Sequence, residues 1–359
     1  MDVELNIYWI KSPLKKPYYL SIGTIHEFDS IVVLINNGQD LYWGEATALP
    51  GYSWETAETM WKTTIGCAED SSDLTELRNN ALSFYQKNPF ATSAILTALD
   101  KYQNLKELYN GLSNKNISIP LAGIVNGVSP EELSMNAEKV MSEGYKVLKI
   151  KLLGDLNRDI DRIKTIQEML KPGIKLRFDA NQSYDYEMLE KILKTIDPDT
   201  TELLEQPFKV DRWDLLQEVV RWSPVPIMLD ESIWNLEDLK KAHEKGVSFV
   251  KLKLVKHGGM LNSLTMIKKA RKMGFQIILG NGVQTDLGCM DECILYEIGQ
   301  LECAGEMNGF LKLRDGLINK NMKVIYGVLS LTLKDISLGS IRFINNVCVF
   351  KKYKKIMHL

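Results

Sequence analysis

From about residue 117 to residue 306, the chain alternates short apolar segments with amphipathic ones, and this alternation constrains the fold most strongly. Eight apolar segments have strand composition and recur roughly every 25–30 residues, the spacing of a strand–helix unit. They are residues 119–125, 145–152, 175–181, 201–207, 226–232, 248–255, 275–281 and 301–306. Helical periodicity occupies the intervening segments, and the first helix is predicted to begin at Ser129, an N-cap with Glu132 three positions on. Eight such units predict a (β/α)8-type TIM barrel of the α/β class.

The regions on either side of the barrel have a different pattern of predicted secondary structure. Strand composition at 3–9, 30–35 and 42–46 is followed by helical patterns at 55–66, 73–86 and 91–108. We therefore predict an α+β domain over residues 1–116 and the barrel over 117–320. The strand-rich segment 321–359 is expected to return to the N-terminal domain.

The charge and cysteine content favour a cytoplasmic protein that acts on small molecules. The net charge is -2 without a basic block, which argues against a nucleic-acid partner, and no apolar run is long enough to span a membrane. The first twenty residues lack the apolar segment of a signal peptide. The five cysteines contain no C-x-x-C pair, so reduced thiols are expected and a zinc site is not.

Three carboxylates, Asp179, Glu205 and Asp230, each stand where a predicted strand ends. The C-terminal ends of parallel barrel strands meet at one face, so these side chains should converge there. Crowded carboxylates raise one another's pKa unless a cation lies between them. An all-oxygen set suits Mg²⁺, with Mn²⁺ as a second possibility. Each residue could instead be an acidic helix N-cap, but three in the same position favour a metal site.

Two lysine pairs flank these carboxylates: Lys149 with Lys151, and Lys251 with Lys253. Side chains at i and i+2 share one face of a strand, so each pair points either into the barrel or towards the helices. We predict that Lys151 and Lys253 point inward at the mouth, whereas the pattern leaves Lys251 open. Burial and like charge are expected to lower the pKa of such lysines and make them usable bases.

Six ordered motifs extend over nearly the whole chain: WGEA (43–46), LKIK (148–151), DAN (179–181), EQP (205–207), DES (230–232) and KLVKHGG (253–259). The set resembles the muconate-lactonizing subgroup of the enolase superfamily. The resemblance implies that the α+β domain caps the barrel and that Lys151 and Lys253 are the acid/base pair. Sites of this superfamily combine a lysine or histidine base with Mg²⁺ that stabilises an enediolate. No histidine follows ILGNGV (278–283), which argues against the mandelate-racemase subgroup.

Substrate contacts are less determined by the sequence. The further candidates for substrate binding are Lys149, Asn181, Glu306, Asn308 and Tyr52. Dipeptide epimerases of this subgroup usually carry D-x-D after the eighth strand, whereas this chain has Glu306 and Asn308. Tyr52 is a candidate for a lid over the substrate, although it could equally pack the capping domain.

These features predict an isomerase, a racemase or epimerase of amino-acid derivatives or dipeptides, which moves the proton α to a substrate carboxylate. A muconate-type cycloisomerase or a dehydratase could use the same residues. A Schiff-base aldolase and a barrel that only binds its ligand are weaker alternatives. We also expect a homo-oligomer.

Overall fold

The computed structural model describes residues 2–20, 23–48, 53–109, 112, 115–281, 283–318, 322–332 and 348–358. The strands are β1 (Asp2–Leu20), β2 (Gly23–Asn36), β3 (Leu41–Ala48), β4 (Asn116–Pro120), β5 (Ala122–Val125), β6 (Val147–Lys151), β7 (Lys175–Asp179), β8 (Thr201–Glu205), β9 (Ile227–Leu229), β10 (Phe249–Leu252), β11 (Gln276–Leu279), β12 (Met322–Ile325), β13 (Val328–Thr332) and β14 (Cys348–His358). The helices are α1 (Ala57–Glu69), α2 (Leu74–Phe84), α3 (Pro89–Tyr109), α4 (Pro130–Ser142), α5 (Leu156–Glu168), α6 (Tyr186–Thr195), α7 (Trp213–Val220), α8 (Leu236–Glu244), α9 (Met260–Lys272) and α10 (Asp286–Ile298).

The N-terminal sheet is antiparallel, in the order β14-β1-β2-β3, and both faces of its central strand β2 are buried over residues 30–35. Val33 and Ile35 pack with residues of α1 to α3, whereas Val32 and Leu34 on the opposite face join the core of the barrel. Alternate residues of one strand therefore serve two cores. Close approach of β3 to α3 depends on Gly44, because a Cβ atom there would lie 1.9 Å from the carbonyl oxygen of Ala94.

A parallel sheet in the order β11-β10-β9-β8-β7-β6-β5 curls into the barrel, with α4 to α10 in the connections. The predicted eighth strand, 301–306, forms no regular strand. Instead, the Gly305 N–H donates to the Pro120 carbonyl at 2.8 Å, and the Glu306 N–H donates to the Leu279 carbonyl at 2.9 Å. These residues bridge both edges of the sheet, and a 3₁₀ helix over Gly309–Lys312 follows too soon for a longer ladder.

Local capping agrees with the sequence pattern at the first barrel helix. Ser129 is the N-cap of α4, and its hydroxyl accepts a hydrogen bond from the Glu132 N–H at 3.2 Å, as predicted. None of the described helices is long and apolar enough to cross a membrane. The four cysteines whose side chains are described, Cys67, Cys289, Cys293 and Cys303, form no disulfide with one another.

The C-terminal segment divides between two sheets. Strand β12 pairs with β13, and β13 pairs with β4 beside the barrel, whereas β14 pairs antiparallel with β1 in the N-terminal sheet, from Asp2 opposite His358 onward. Among the described residues of this segment, those of β14 lie in the N-terminal sheet and those of β12 and β13 do not. The boundaries at residues 116 and 320 stay predictions.

Charged side chains are buried where the N-terminal domain meets the barrel. Glu45 on β3 accepts hydrogen bonds from the backbone N–H groups of Thr285 and Gly288, both at 2.8 Å, at the N-terminus of α10. Close by, Lys101 on α3 forms an ion pair with Asp291 on α10. We call the charged residues of this region the interface cluster: Glu45, Lys101, Asp286, Asp291 and Glu292.

Candidate active site

Three carboxylates lie side by side at the C-terminal end of the barrel. Asp179 ends β7, Glu205 ends β8 and Asp230 directly follows β9. Asp179 and Glu205 are register partners, and all three side chains are buried. The helices that follow these strands have other N-cap residues: Asp185, Arg212 and Asn235. The three carboxylates are therefore not helix caps.

Lysine ammonium groups lie between neighbouring carboxylates. Lys149 Nζ is 2.8 Å from Asp179 Oδ2 and 2.6 Å from Glu205 Oε2. Lys251 Nζ is 2.6 Å from Glu205 Oε1 and 3.9 Å from Asp230 Oδ2. Both lysines point into the barrel, which answers the question that the sequence pattern left open for Lys251.

Two further lysines contact Asp230 from the segment after β10. Lys253 Nζ lies 2.6 Å from Asp230 Oδ2. Lys256, in the 3₁₀ helix Leu254–Lys256, donates to the Asp230 carbonyl at 2.6 Å and lies 4.5 Å from the centroid of the Trp234 ring. Burial lowers the pKa of Lys256 to about 8, although the charge of Asp230 opposes this change.

Glu306 lies among the lysines that contact Glu205. Its Oε2 atom is 2.7 Å from Lys251 Nζ and 3.1 Å from Lys149 Nζ, and its Oε1 atom is 3.4 Å from the Arg177 guanidinium. Sequence reasoning missed Arg177, although it stands two residues before Asp179 and so shares its strand face. We call the charged residues of this region the lumen cluster: Lys149, Arg177, Asp179, Glu205, Asp230, Lys251, Lys253, Lys256 and Glu306.

Mutual neutralisation governs ionisation in the lumen cluster. Burial would raise the pKa of Asp230, but the neighbouring lysines hold it well below its usual range. Glu205 differs, because burial and the charge of Asp179 raise its pKa to about 8. For Lys149 and Lys251, burial would lower the pKa, but the surrounding carboxylates raise it. The expectation of a lowered lysine pKa is therefore wrong for these two residues.

Lys151 ends β6 and is the register partner of Asp179, so it stands at the barrel mouth. Its side chain is half-buried. Tyr18, from β1, reaches the same region, and Lys312 Nζ lies 4.8 Å from the centroid of its ring. Burial would raise the pKa of Tyr18, but the charges of Lys312, Lys151 and Lys149 lower it. Sequence reasoning did not single out Tyr18 or Lys312, because their proximity depends on the docking of the N-terminal domain.

The other predicted substrate contacts occupy different positions. Asn181 is exposed, and its amide donates to Glu231 Oε1 at 3.2 Å. Asn308 is half-buried and precedes the 3₁₀ helix Gly309–Lys312, next to the lumen cluster in sequence. Tyr52 lies outside the described residues. Another residue missed from the sequence is Gln206, whose side-chain oxygen accepts the Asp230 N–H at 3.0 Å and so positions that strand end.

A divalent cation fits the donor set of Asp179, Glu205 and Asp230. All donors are buried carboxylate oxygens, and the ammonium groups between them show that the geometry accepts positive charge. In the described part of the chain, no three His, Cys, Asp or Glu side chains are grouped as metal ligands. The ammonium groups occupy the spaces between the carboxylates, so metal binding requires them to move.

Comparison with known proteins agrees with the family resemblance of the sequence motifs. The family model "Enolase C-terminal domain-like" matches residues 132–297. The chain is 25% identical to L-Ala-D/L-Glu epimerase of Francisella tularensis subsp. novicida over 310 residues, which cover 81% of this chain and 85% of the relative. It is also 25% identical to o-succinylbenzoate synthase of Bacillus subtilis over 346 residues, 92% of this chain and 91% of the relative.

Solved structures share the fold. A dipeptide epimerase from Cytophaga hutchinsonii, in complex with Mg and D-Ala-L-Val, superposes with a TM-score of 0.84 at 20% identity over the full length of both chains. Muconate lactonizing enzyme from Pseudomonas putida gives a TM-score of 0.78 at 21% identity, covering 94% of this chain and 98% of that one. These neighbours confirm the predicted barrel with its N-terminal capping domain. Residues 132–297 thus carry an enolase C-terminal-like domain, and most of the chain is similar to enzymes named as dipeptide epimerases, o-succinylbenzoate synthase and muconate lactonizing enzyme.

Proposed function

We propose that the protein removes and returns the proton α to a substrate carboxylate, as a racemase or epimerase of amino-acid derivatives or dipeptides. The order of groups around the barrel carries this proposal. Lys151 ends β6 and Lys253 follows β10, and the three carboxylates belong to the strands between them, β7, β8 and β9. The two lysines therefore flank the predicted metal site, as a two-base reaction requires.

Each lysine would act on one face of the substrate. One lysine takes the α-proton, and the other, as its ammonium form, delivers a proton to the opposite face, so that the configuration inverts. Mg²⁺ or Mn²⁺ held by Asp179, Glu205 and Asp230 would stabilise the negative charge of the enediolate. Burial of the surrounding charges keeps the site poor in water and strengthens its electrostatic interactions.

The relatives support this choice over other barrel chemistry. The curated similar proteins include epimerases of L-Ala-D/L-Glu and D-Ala-D/L-Ala and an N-succinyl-L-Arg/Lys racemase. All of these names describe inversion at a carbon next to a carbonyl group. The substrate of this chain is a small carboxylate, and the Glu306 and Asn308 pair leaves dipeptides and N-acyl amino acids as competing classes.

A solvent-exchange screen tests the proposal. Dipeptides, N-acyl amino acids and muconate-type acids are incubated with enzyme and Mg²⁺ in D₂O, and mass shifts are recorded. We expect a substrate whose α-proton exchanges from both stereoisomers, with exchange lost in EDTA and restored by Mg²⁺. Turnover that survives removal of the metal would contradict the metal site. Exchange from only one stereoisomer would contradict the two-base assignment.

A dehydratase is the second candidate, because o-succinylbenzoate synthase matches the chain over 92% of its length. In that reaction one lysine removes the proton and a hydroxyl group leaves, so the product is lighter by one water and gains no α-deuterium. A cycloisomerase would convert a muconate-type acid into a lactone that carries one deuterium in D₂O. Mass in the same screen therefore identifies the dehydratase, and a change in chromatographic retention separates the lactone from an exchanged substrate. Homo-oligomer formation and a cytoplasmic location stay predictions.

A further inference from the structure

Lys251 is a buried cation for which the proposed proton transfer has no use. It stands on β10 with 1% of its surface exposed. Its strand neighbours Val250 and Leu252 face the opposite side of the sheet and belong to the hydrophobic core. Its ammonium group lies 2.6 Å from Glu205 Oε1 and 2.7 Å from Glu306 Oε2. Such a buried ammonium is tolerated only where carboxylates neutralise it.

The position of Lys251 conflicts with a metal ion on Glu205. Lys149 occupies the other oxygen of this carboxylate, Oε2, at 2.6 Å, so both oxygens already carry an ammonium partner. A metal ligated by Glu205 would approach an oxygen to about 2.0–2.1 Å. It would then lie only a few ångströms from the Lys251 ammonium, and the two cations would repel.

Glu306 offers Lys251 an alternative partner. This carboxylate is not among the predicted metal ligands, and Lys251 already contacts it. The Glu306 N–H donates to the Leu279 carbonyl at 2.9 Å, and its Oε1 atom faces Arg177 at 3.4 Å, so Glu306 is held in place. A short displacement of the ammonium from Glu205 towards Glu306 would free Glu205 Oε1.

We propose that Lys251 is an internal cation that neutralises Glu205 when the metal is absent and withdraws to Glu306 when the metal binds, and so sets the metal affinity. This inference rests on the metal site of the proposed function. Lys251 is here a positioning residue that acts through Glu205, and it has no role in proton transfer.

Two substitutions should change the metal affinity in opposite directions. Lys251→Met keeps the length of the side chain but removes the competing charge, so Mn²⁺ should bind at least tenfold more tightly. Glu306→Gln removes the alternative partner and leaves the ammonium on Glu205, so Mn²⁺ should bind at least threefold more weakly. Lys115→Met is the control for net charge, because Lys115 pairs with Glu297 away from the site. The Mn²⁺ affinity of this variant should match that of the wild type.

The dissociation constant of Mn²⁺ is measured by titration calorimetry and by electron paramagnetic resonance of the free ion, without substrate. Circular dichroism and thermal melts verify that each variant is folded. A Lys251→Met protein that binds Mn²⁺ no more tightly than the wild type overturns the proposal. If that variant does not fold, Glu306→Gln decides, and unchanged or tighter binding overturns the proposal.

These outcomes are independent of the proposed reaction. Wild-type protein that binds Mn²⁺ but exchanges no α-proton contradicts the isomerase, while the ratio between variants still tests Lys251. Exchange-active wild type with equal affinities in all variants contradicts only the role of Lys251. If Lys251→Met binds Mn²⁺ and the wild type does not, the result supports the role of Lys251 as a cation that competes with the metal. If neither the wild type nor Lys251→Met binds, both the metal site and this role are overturned.

Discussion

The lumen cluster and the interface cluster are both buried and charged, but they are balanced differently. In the lumen cluster, four carboxylates face four lysines and Arg177, and the contacts hold the pKa of Asp230 low and that of Lys149 high. In the interface cluster, four carboxylates share a single lysine. There, burial raises the pKa of Asp291 to about 7 and lowers that of Lys101 to about 8.

This difference separates two uses of buried charge. A cluster in which lysines match the carboxylates keeps most of its charges near neutral pH, and Glu205 is the exception because its pKa is raised to about 8. A cluster with excess carboxylates approaches the neutral form and depends on protons for its stability. The first should respond to substitution mainly through activity, and the second mainly through stability and pH.

The largest effect is expected in the lumen cluster. Lys253→Met should reduce α-proton exchange by about 10²–10⁴-fold, because it removes one of the two acid/base groups. The rate is measured by mass spectrometry in D₂O on the substrate found in the screen, with the thermal melting temperature as a fold control. A variant that is folded and exchanges at the wild-type rate would remove Lys253 from the mechanism.

A large loss of stability is expected at the interface cluster. Lys101 has no exposed surface, pairs with Asp291 and lies 3.6 Å from the centroid of the Trp43 ring. Lys101→Met would leave a buried carboxylate without its partner, which costs about 3–5 kcal/mol when the carboxylate stays charged. Urea unfolding at pH 7.5 measures the loss, and it should be smaller at pH 5, where Asp291 is protonated. A loss of stability that is the same at both pH values would contradict the view that the loss arises from the charged carboxylate of Asp291.

The pH dependence of stability should differ between the wild type and Asp291→Asn. The folded-state pKa of Asp291, about 7, is above the ordinary value of 3.8, so the folded protein binds this proton more tightly than the unfolded chain. The contribution of Asp291 is therefore fully present below about pH 4 and is lost as the pH rises through about 7. Relative to Asp291→Asn, the wild type should lose at least about 1 kcal/mol between pH 4 and pH 7.5. Parallel stability curves for the two proteins would refute this expectation.

The smallest effect is expected for an ion pair on the surface. Lys240 pairs with Glu237 at 2.6 Å on α8, and both side chains are more than half exposed. Solvent screens such pairs, so Lys240→Ala should change the free energy of unfolding by less than about 1 kcal/mol. The same urea experiment provides the comparison. A larger change would mean that burial is not what distinguishes the two clusters from other charged contacts.

Much of the barrel could be predicted from local pattern. The spacing of apolar segments predicts seven strands that the structure contains, because strand and helix periodicities are properties of neighbouring residues. The sequence predicts an eighth strand, but this segment forms only two isolated β-bridges, between Gly305 and Leu121 and between Glu306 and Gly280. Strand composition cannot report how many ladder hydrogen bonds a segment will find.

The candidate site divides in the same way. The positions of Asp179, Glu205 and Asp230 at strand ends follow from the sequence, because parallel strands bring their ends to one face. The docking of Tyr18 beside Lys312 joins residues almost three hundred positions apart, and no local pattern predicts it. The same holds for the pairing of β14 with β1.

The sequence by itself determined the alternation of strands and helices and the order in which lysines and carboxylates follow one another around the barrel. The tertiary structure decided which of these charges neutralise one another. Lys251 points inward and has a raised pKa because Glu205 and Glu306, 46 and 55 residues away in the chain, lie beside it. Ionisation of a buried group depends on its neighbours in space, and those neighbours are known only once the barrel is closed.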